Sequence, residues 1–404
     1  MGVAHGAPLD TIWQLFPMFV HPFSREAPGK AKVMKRSAGR ATFLCLVLQA
    51  AALAGQDPAP STALPVTLHG LVDVYYSHNA TNYNNDRPGG GNALHTFDLT
   101  DNAFVLSLVM IDLSAGAGDA GAHVRLGFGP VADWMASLGN VGPPSPVPPP
   151  ADASRNLLEA YLTYRKNAWD LDLGKFLTDF GLEVLDGRED WNYSRSFLTT
   201  YAIPHDHTGL RVRYLFGPGS QATFFICDGW NNGTILTHYD KNYGGQLSLR
   251  PLEGLSLRLN ATYGDGVAPL SRRVGELIAV WKADAEFSFA MDYALAQNDS
   301  KLPNVPGDAW SSLVLYARFQ PDPVWALSIR GEDYIDHDGF TTGSAADLRE
   351  GTVTLEHSLA AQLTLKLEGR YDWAVDTLGL GQKMPVFNGS PDQTTVTLGA
   401  LYGF

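Results

Sequence analysis

The sequence predicts an all-β chain folded as a transmembrane antiparallel up-and-down β-barrel of about sixteen strands, with short periplasmic turns and long external loops. Three observations predict it: period-two alternation from Pro65 onward, short connections that alternate with long ones, and a chain that stops within a strand. In Thr394–Phe404, Val396, Leu398, Ala400, Tyr402 and Phe404 share one face, Thr395, Thr397 and Gly399 the other, and Leu401 is the exception. Left unpaired, such an edge invites aggregation. In a closed barrel the last strand pairs with the first, and Tyr402 and Phe404 become outward aromatics at a lipid interface.

At the other end, the basic run Lys35–Arg40 precedes an apolar stretch, Ala41–Ala54, that finishes on an A-x-A. This is the layout of a signal peptide, too short to span a bilayer. Residues 34–54 are therefore expected to be the leader of an exported protein. Met34 directly precedes the basic run, so residues 1–33 read as a misassigned upstream extension, with a genuine long leader as the alternative. Residues 55–65 then form a short periplasmic segment and 66–404 the barrel. Removing residues 1–54 takes away six basic and two acidic side chains and leaves 23 basic against 40 acidic, a net charge near −17. That balance argues against nucleic-acid binding. Only Cys227 remains, which excludes an internal disulfide and a thiol metal motif.

The candidate strands, in order, are 66–77, 103–113, 121–129, 155–165, 168–178, 206–216, 220–230, 242–250, 255–264, 273–282, 284–296, 309–320, 325–335, 349–358, 362–373 and 393–404. Leu255, Leu257, Leu259 and Tyr263 oppose Ser256, Arg258, Asn260 and Thr262, and Leu363, Leu365 and Leu367 oppose Thr364, Lys366 and Glu368. A soluble sandwich shares such alternation, so the connections decide. Every second one is short, such as Lys166-Asn167 and Gly217-Pro218-Gly219, whereas the others are mostly long and rich in Asn, Asp, Gly and Pro. Strand boundaries carry an uncertainty of ~2–4 residues, so fourteen or eighteen strands stay open. A barrel of about sixteen leaves an aqueous lumen.

The third long loop, 179–205, is dense in aromatics and in charges of both signs, unlike the Pro-rich surface stretch Pro143–Pro150. It is expected to enter the pore, with a cap over the mouth as the alternative. Residues 174–183 (GKFLTDFGLE), Trp191–Ser196 (WNYSRS), Tyr201–Pro204 (YAIP) and His207–Arg211 (HTGLR) resemble, in order and spacing, a block of the OmpL-like β-barrel porin family of Gram-negative bacteria. The resemblance is sharp over 174–213, and the long first loop and the Pro-rich second loop do not match it. It implies a Gram-negative outer-membrane barrel with a porin role and identifies no solute. A terminal Phe also looks like the signal that such barrels present to the barrel-assembly machinery.

A diffusion channel needs a constriction whose width and charge sort solutes. Alternation places Arg211 and Arg213 on the lumen face beside the loop, with Arg258, Arg318, Arg330, Lys366 and Arg370 on later strands. Glu183, Asp186, Glu189 and Asp190 lie on the loop, with Arg188 and Arg195 between them. A basic wall facing an acidic loop would set a transverse field across the throat, while the same charges paired would pin loop to wall, Arg195 above all. Trp191 and Tyr193 either contact solutes or pack the loop. In His205-Asp206-His207, alternation lets only two side chains converge, so no metal is expected. Nor is a cofactor, and no nucleophile motif marks an enzyme. The reading is a passive diffusion channel for small hydrophilic solutes in the outer membrane, as a homotrimer or a monomer. The alternatives are a surface structural or adhesive barrel, a rim-located hydrolase, and a soluble sugar-binding β-protein.

Overall fold

Where side chains alternate along a strand, one face must meet lipid and the other the bore. In Leu348–Glu356 every second residue is buried and every other exposed. The exposed set includes Val353 and Leu355, and the buried set Glu350, Thr352 and Thr354. Apolar side chains thus point outward and polar ones inward, the reverse of a soluble sandwich and the arrangement of a membrane barrel.

The structure, a computed structural model, describes residues 65–81, 91–138, 155–231, 241–265, 270–300, 307–375 and 384–404. The expected leader 34–54, the extension before it and Pro143–Pro150 lie outside the described residues. Sixteen strands run in chain order: β1 (Val66–Asn79), β2 (Ala103–Ala117), β3 (Ala120–Phe128), β4 (Leu157–Lys166), β5 (Trp169–Leu177), β6 (Asp206–Gly217), β7 (Ser220–Cys227) and β8 (Asn242–Leu252). They continue with β9 (Leu255–Asp265), β10 (Leu270–Lys282), β11 (Phe287–Ser300), β12 (Ala309–Phe319), β13 (Trp325–Ile335), β14 (Leu348–Ala360), β15 (Leu363–Ala374) and β16 (Asp392–Gly403). Each pairs antiparallel with its sequence neighbours, and β1 pairs with β16 to close the barrel. The seam runs from Leu71 opposite Gly403 to Asn79 opposite Thr395. Phe404 extends it: Gly70 N–H donates to the Phe404 carbonyl at 2.8 Å, and Phe404 N–H returns to Gly70 at 3.1 Å.

Several boundaries differ from the expectation, and one element is new. β11 begins at Phe287 rather than 284, because the Asp284 carboxylate accepts the Glu286 and Phe287 N–H groups at 2.8 and 2.7 Å and makes 283–286 a turn. β7 stops at Cys227 rather than 230, where Gly229 and Asn231 turn the backbone at φ 69° and 48°. β10 starts at Leu270, which leaves only 266–269 as its loop and breaks the rule of long connections on that side. Finally, a helix, α1 (Pro130–Leu138), follows β3 where none was expected. Pro opens it at a position that needs no N–H donor, and Val131, Ala132 and Met135 form its buried face.

Outward aromatics gather at both ends of the wall. Trp169, Trp281, Trp325, Tyr402 and Phe404 are exposed near the short turns, and Phe104, Tyr243, Tyr263 and Tyr371 near the long loops. Aromatic side chains with one polar edge suit the two bilayer interfaces. Among the described residues no helix is long and apolar enough to cross a membrane.

A loop folded into the bore

Loop 179–205 leaves the top of β5, and its base is closed by the Thr178 N–H donating to the His205 carbonyl at 3.0 Å. From there it crosses the lumen, because inward carboxylates of the wall accept its backbone N–H groups. Glu276 on β10 takes the Gly181 N–H at 3.0 and 3.1 Å, and Asp292 on β11 takes the Leu182 N–H at 2.8 Å. Glu332 on β13 accepts the Phe197 and Leu198 N–H groups, both at 2.7 Å. Glu368 on β15 accepts those of Tyr193 and Ser194 at 2.6 and 3.0 Å. A carboxylate that accepts two consecutive N–H groups satisfies donors that an irregular buried backbone would otherwise leave orphaned. Four strands of wall thus specify the path of a segment whose one regular piece is a π-helical turn, Leu198–Ala202.

Cations complete the attachment. Arg330, 1% exposed, donates to Glu183 and to the Ser194 carbonyl, both at 2.6 Å, and through Nε to Glu350 at 2.6 Å. Arg370 donates to the Arg195 carbonyl at 2.6 Å and to Asp372 at 2.7 Å. Lys366 reaches the Gly187 carbonyl at 2.7 Å and the Asp190 carbonyl. Burial raises the Glu183 carboxyl, but Arg330, then Arg195, together with the Ser196 N–H, outweigh it and hold the group below its ordinary range.

The expected contrast between a basic wall and an acidic loop is not what the wall presents. Most of its cations sit on wall carboxylates, Arg211 on Asp172 at 2.9 Å, Arg213 on Asp172 and Arg318 on Glu356 at 2.7 Å, while Arg211 also reaches Asp179 at the loop's start at 3.2 Å and Arg330 reaches Glu183. Arg195 ties the loop to itself rather than to the wall, through Asp190 at 2.8 Å, the Val184 carbonyl at 2.7 Å and the Tyr193 carbonyl at 2.7 Å.

The loop's tip meets the last strand. Tyr193 lies on Gly399, where a Cβ would stand 2.3 Å from the ring, and its hydroxyl donates to Asp73 on β1 at 2.8 Å. Leu401, the one apolar residue out of phase, points inward, is fully buried and packs where Gly187 passes. The first loop also turns inward. His95 bridges Asp98 at 3.0 Å and Asp372 on β15 at 2.9 Å. Burial disfavours its charged ring, but Asp98 and Asp372 prevail and lift its pKa to about 9.

The structure brings the expected loop residues together and divides them by exposure. Glu183, Asp190, Tyr193 and Arg195 are buried in the attachment, whereas Arg188 and Glu189 are exposed, and Asp186 and Trp191 half-buried. Arg188 pairs with Asp186 at 2.6 Å. On the wall, Arg211 is buried and Arg213 half-buried. His205, Asp206 and His207 are all buried, and no cluster that could hold a metal occurs among the described residues. Reading the sequence for charge contrast missed the wall carboxylates, though alternation had already placed Glu368 opposite an apolar face.

A closed sixteen-stranded barrel with an outward apolar face and a loop folded across its bore defines the class: a porin-type outer-membrane barrel. The sequence matches the family described as "Putative beta-barrel porin-2, OmpL-like" over residues 65–404, and the chain belongs to that family. Solved structures agree at the level of fold. The anion-selective porin from Comamonas acidovorans is similar at TM-score 0.56 and 14% identity, covering 85% of this chain and 100% of that one. OmpT of Vibrio cholerae gives TM-score 0.56 and 10% identity, covering 86% and 100%. The outer membrane channel DcaP of Acinetobacter baumannii gives 0.52 and 14%, covering 86% and 100%. No curated protein matches the chain.

Proposed function

We propose that the protein is a passive diffusion channel for small hydrophilic solutes, narrowed where loop 179–205 crosses the bore. One observation carries this reading: the inward side chains that stay partly exposed are mainly polar and of both signs. Asp112, His123, Arg125, Asp170, Arg213 and Arg318 lie toward the short-turn ends, where the loop leaves them partly exposed. A wet vestibule lined by both charges leads to a throat edged by Asp186, Arg188, Glu189 and Trp191, which are among the loop residues still reaching solvent. Such a lining favours polar solutes and penalises apolar ones.

The leader 34–54 would route the chain to export, and the strand ending at Phe404 would engage the barrel-assembly machinery. A homotrimer is the assembly we propose; one structure of OmpT from Vibrio cholerae is described as a trimer form. Purified protein added to planar lipid bilayers tests the reading. Discrete conductance steps support it, and a folded protein that inserts without any step contradicts it.

A further inference from the structure

Among the arginines that strand interiors point into the bore, Arg125, Arg211, Arg213, Arg318, Arg330 and Arg370 each sit on a carboxylate. Two do not. Arg272 is buried, donates to Asn298 at 2.9 Å and lies 4.4 Å from the Trp230 ring centre. Arg258 on β9 is half-buried and makes no hydrogen bond or ion pair among the described residues.

Its surroundings explain why. Across the ladder Arg258 stands opposite Ser248 on β8 and Ile278 on β10, one too short to reach it and the other apolar. The acids beyond are already engaged. Glu276 accepts the Gly181 N–H and the Asn260 side-chain amide at 2.6 Å, and Asp292 accepts the Leu182 N–H. Asn260, the next inward residue on β9, donates to the Asp179 carbonyl at 3.2 Å, so Arg258 lies immediately below the point where the loop enters the bore. A guanidinium held there, reachable from the vestibule, acts on Glu276 and Asp292 only through space and makes no hydrogen bond, so its fork of donors is free for an oxyanion.

We propose that Arg258 is the group that passing anions bind, and that small solutes bearing a carboxylate or phosphate are drawn to the throat through it. This rests on the channel reading. In planar bilayers under a KCl gradient, Arg258→Gln lowers the anion-to-cation permeability ratio by about twofold or more, and Arg258→Lys keeps most of it. Inorganic phosphate reduces the chloride current of the wild type, and that block is lost in Arg258→Gln. A wild type that conducts with a ratio and phosphate block unchanged by Arg258→Gln overturns the inference and leaves the channel intact. A wild type without conductance steps overturns both. Because Arg258 makes no hydrogen bond or ion pair among the described residues, both variants are expected to fold, which heat-modifiable migration on gels checks.

Discussion

Glu332→Ala is the sharpest perturbation of the inserted loop. The Glu332 carboxylate accepts three hydrogen bonds at 2.7 Å, from the Phe197 and Leu198 N–H groups and from the Ser312 hydroxyl. Alanine leaves both N–H groups buried without an acceptor, because Phe197 and Leu198 are fully covered. Each buried N–H left without an acceptor costs about 1–3 kcal/mol, so the local cost is about 2–6 kcal/mol. If the remaining carboxylates keep the rest of the loop in place, that cost appears as local opening, at about 1.4 kcal/mol per decade. Amide hydrogen exchange of the 196–199 stretch should then accelerate by more than a decade in rate, while the strand ladders keep their protection. Glu332→Gln, which keeps one carbonyl acceptor, should fall between. Unchanged protection of Phe197 and Leu198 in the alanine variant refutes the clamp.

The other attachments make separate predictions. Gly399→Val places side-chain atoms where the Tyr193 ring lies, so Tyr193 is expelled and loses its 2.8 Å bond to Asp73; single-channel recordings should show larger and noisier steps. Deleting Phe404 removes the two backbone bonds it exchanges with Gly70 and should destabilise the seam by about 2 kcal/mol, read from urea unfolding in detergent or lipid. His95 carries a folded pKa of about 9 against about 6.5 unfolded, so its contribution is complete below about pH 6.5 and is lost as pH rises through about 9. The thermal midpoint should therefore fall between pH 7 and 10, and that fall should shrink in His95→Asn.

The barrel was legible because lipid and water impose the period-two pattern directly on the sequence. The seam could be read for the same reason: Val396, Leu398 and Tyr402 had to face out, and they do. Leu401 broke the pattern, and its cause lay 214 residues earlier in Gly187, a contact that no local period reports. The loop's entry into the bore was anticipated from its aromatics and mixed charge, but its mode of attachment was not. Opposite charges on loop and wall suggested ion pairs, whereas Glu276, Asp292, Glu332 and Glu368 hold the loop through backbone N–H groups, which every residue but proline carries and no sequence pattern marks. Helix α1 escaped because nine residues between a strand and a Pro-rich stretch give too few turns for a clear period.

The central claim is that loop 179–205 occupies the bore and sets its width. Comparing the single-channel conductance of the wild type with that of a chain lacking residues 184–198 tests it most directly. The account predicts that the deletion variant, folded as judged by heat-modifiable migration, conducts in steps several-fold larger. Equal steps from the two proteins would place the loop outside the conducting path and contradict it.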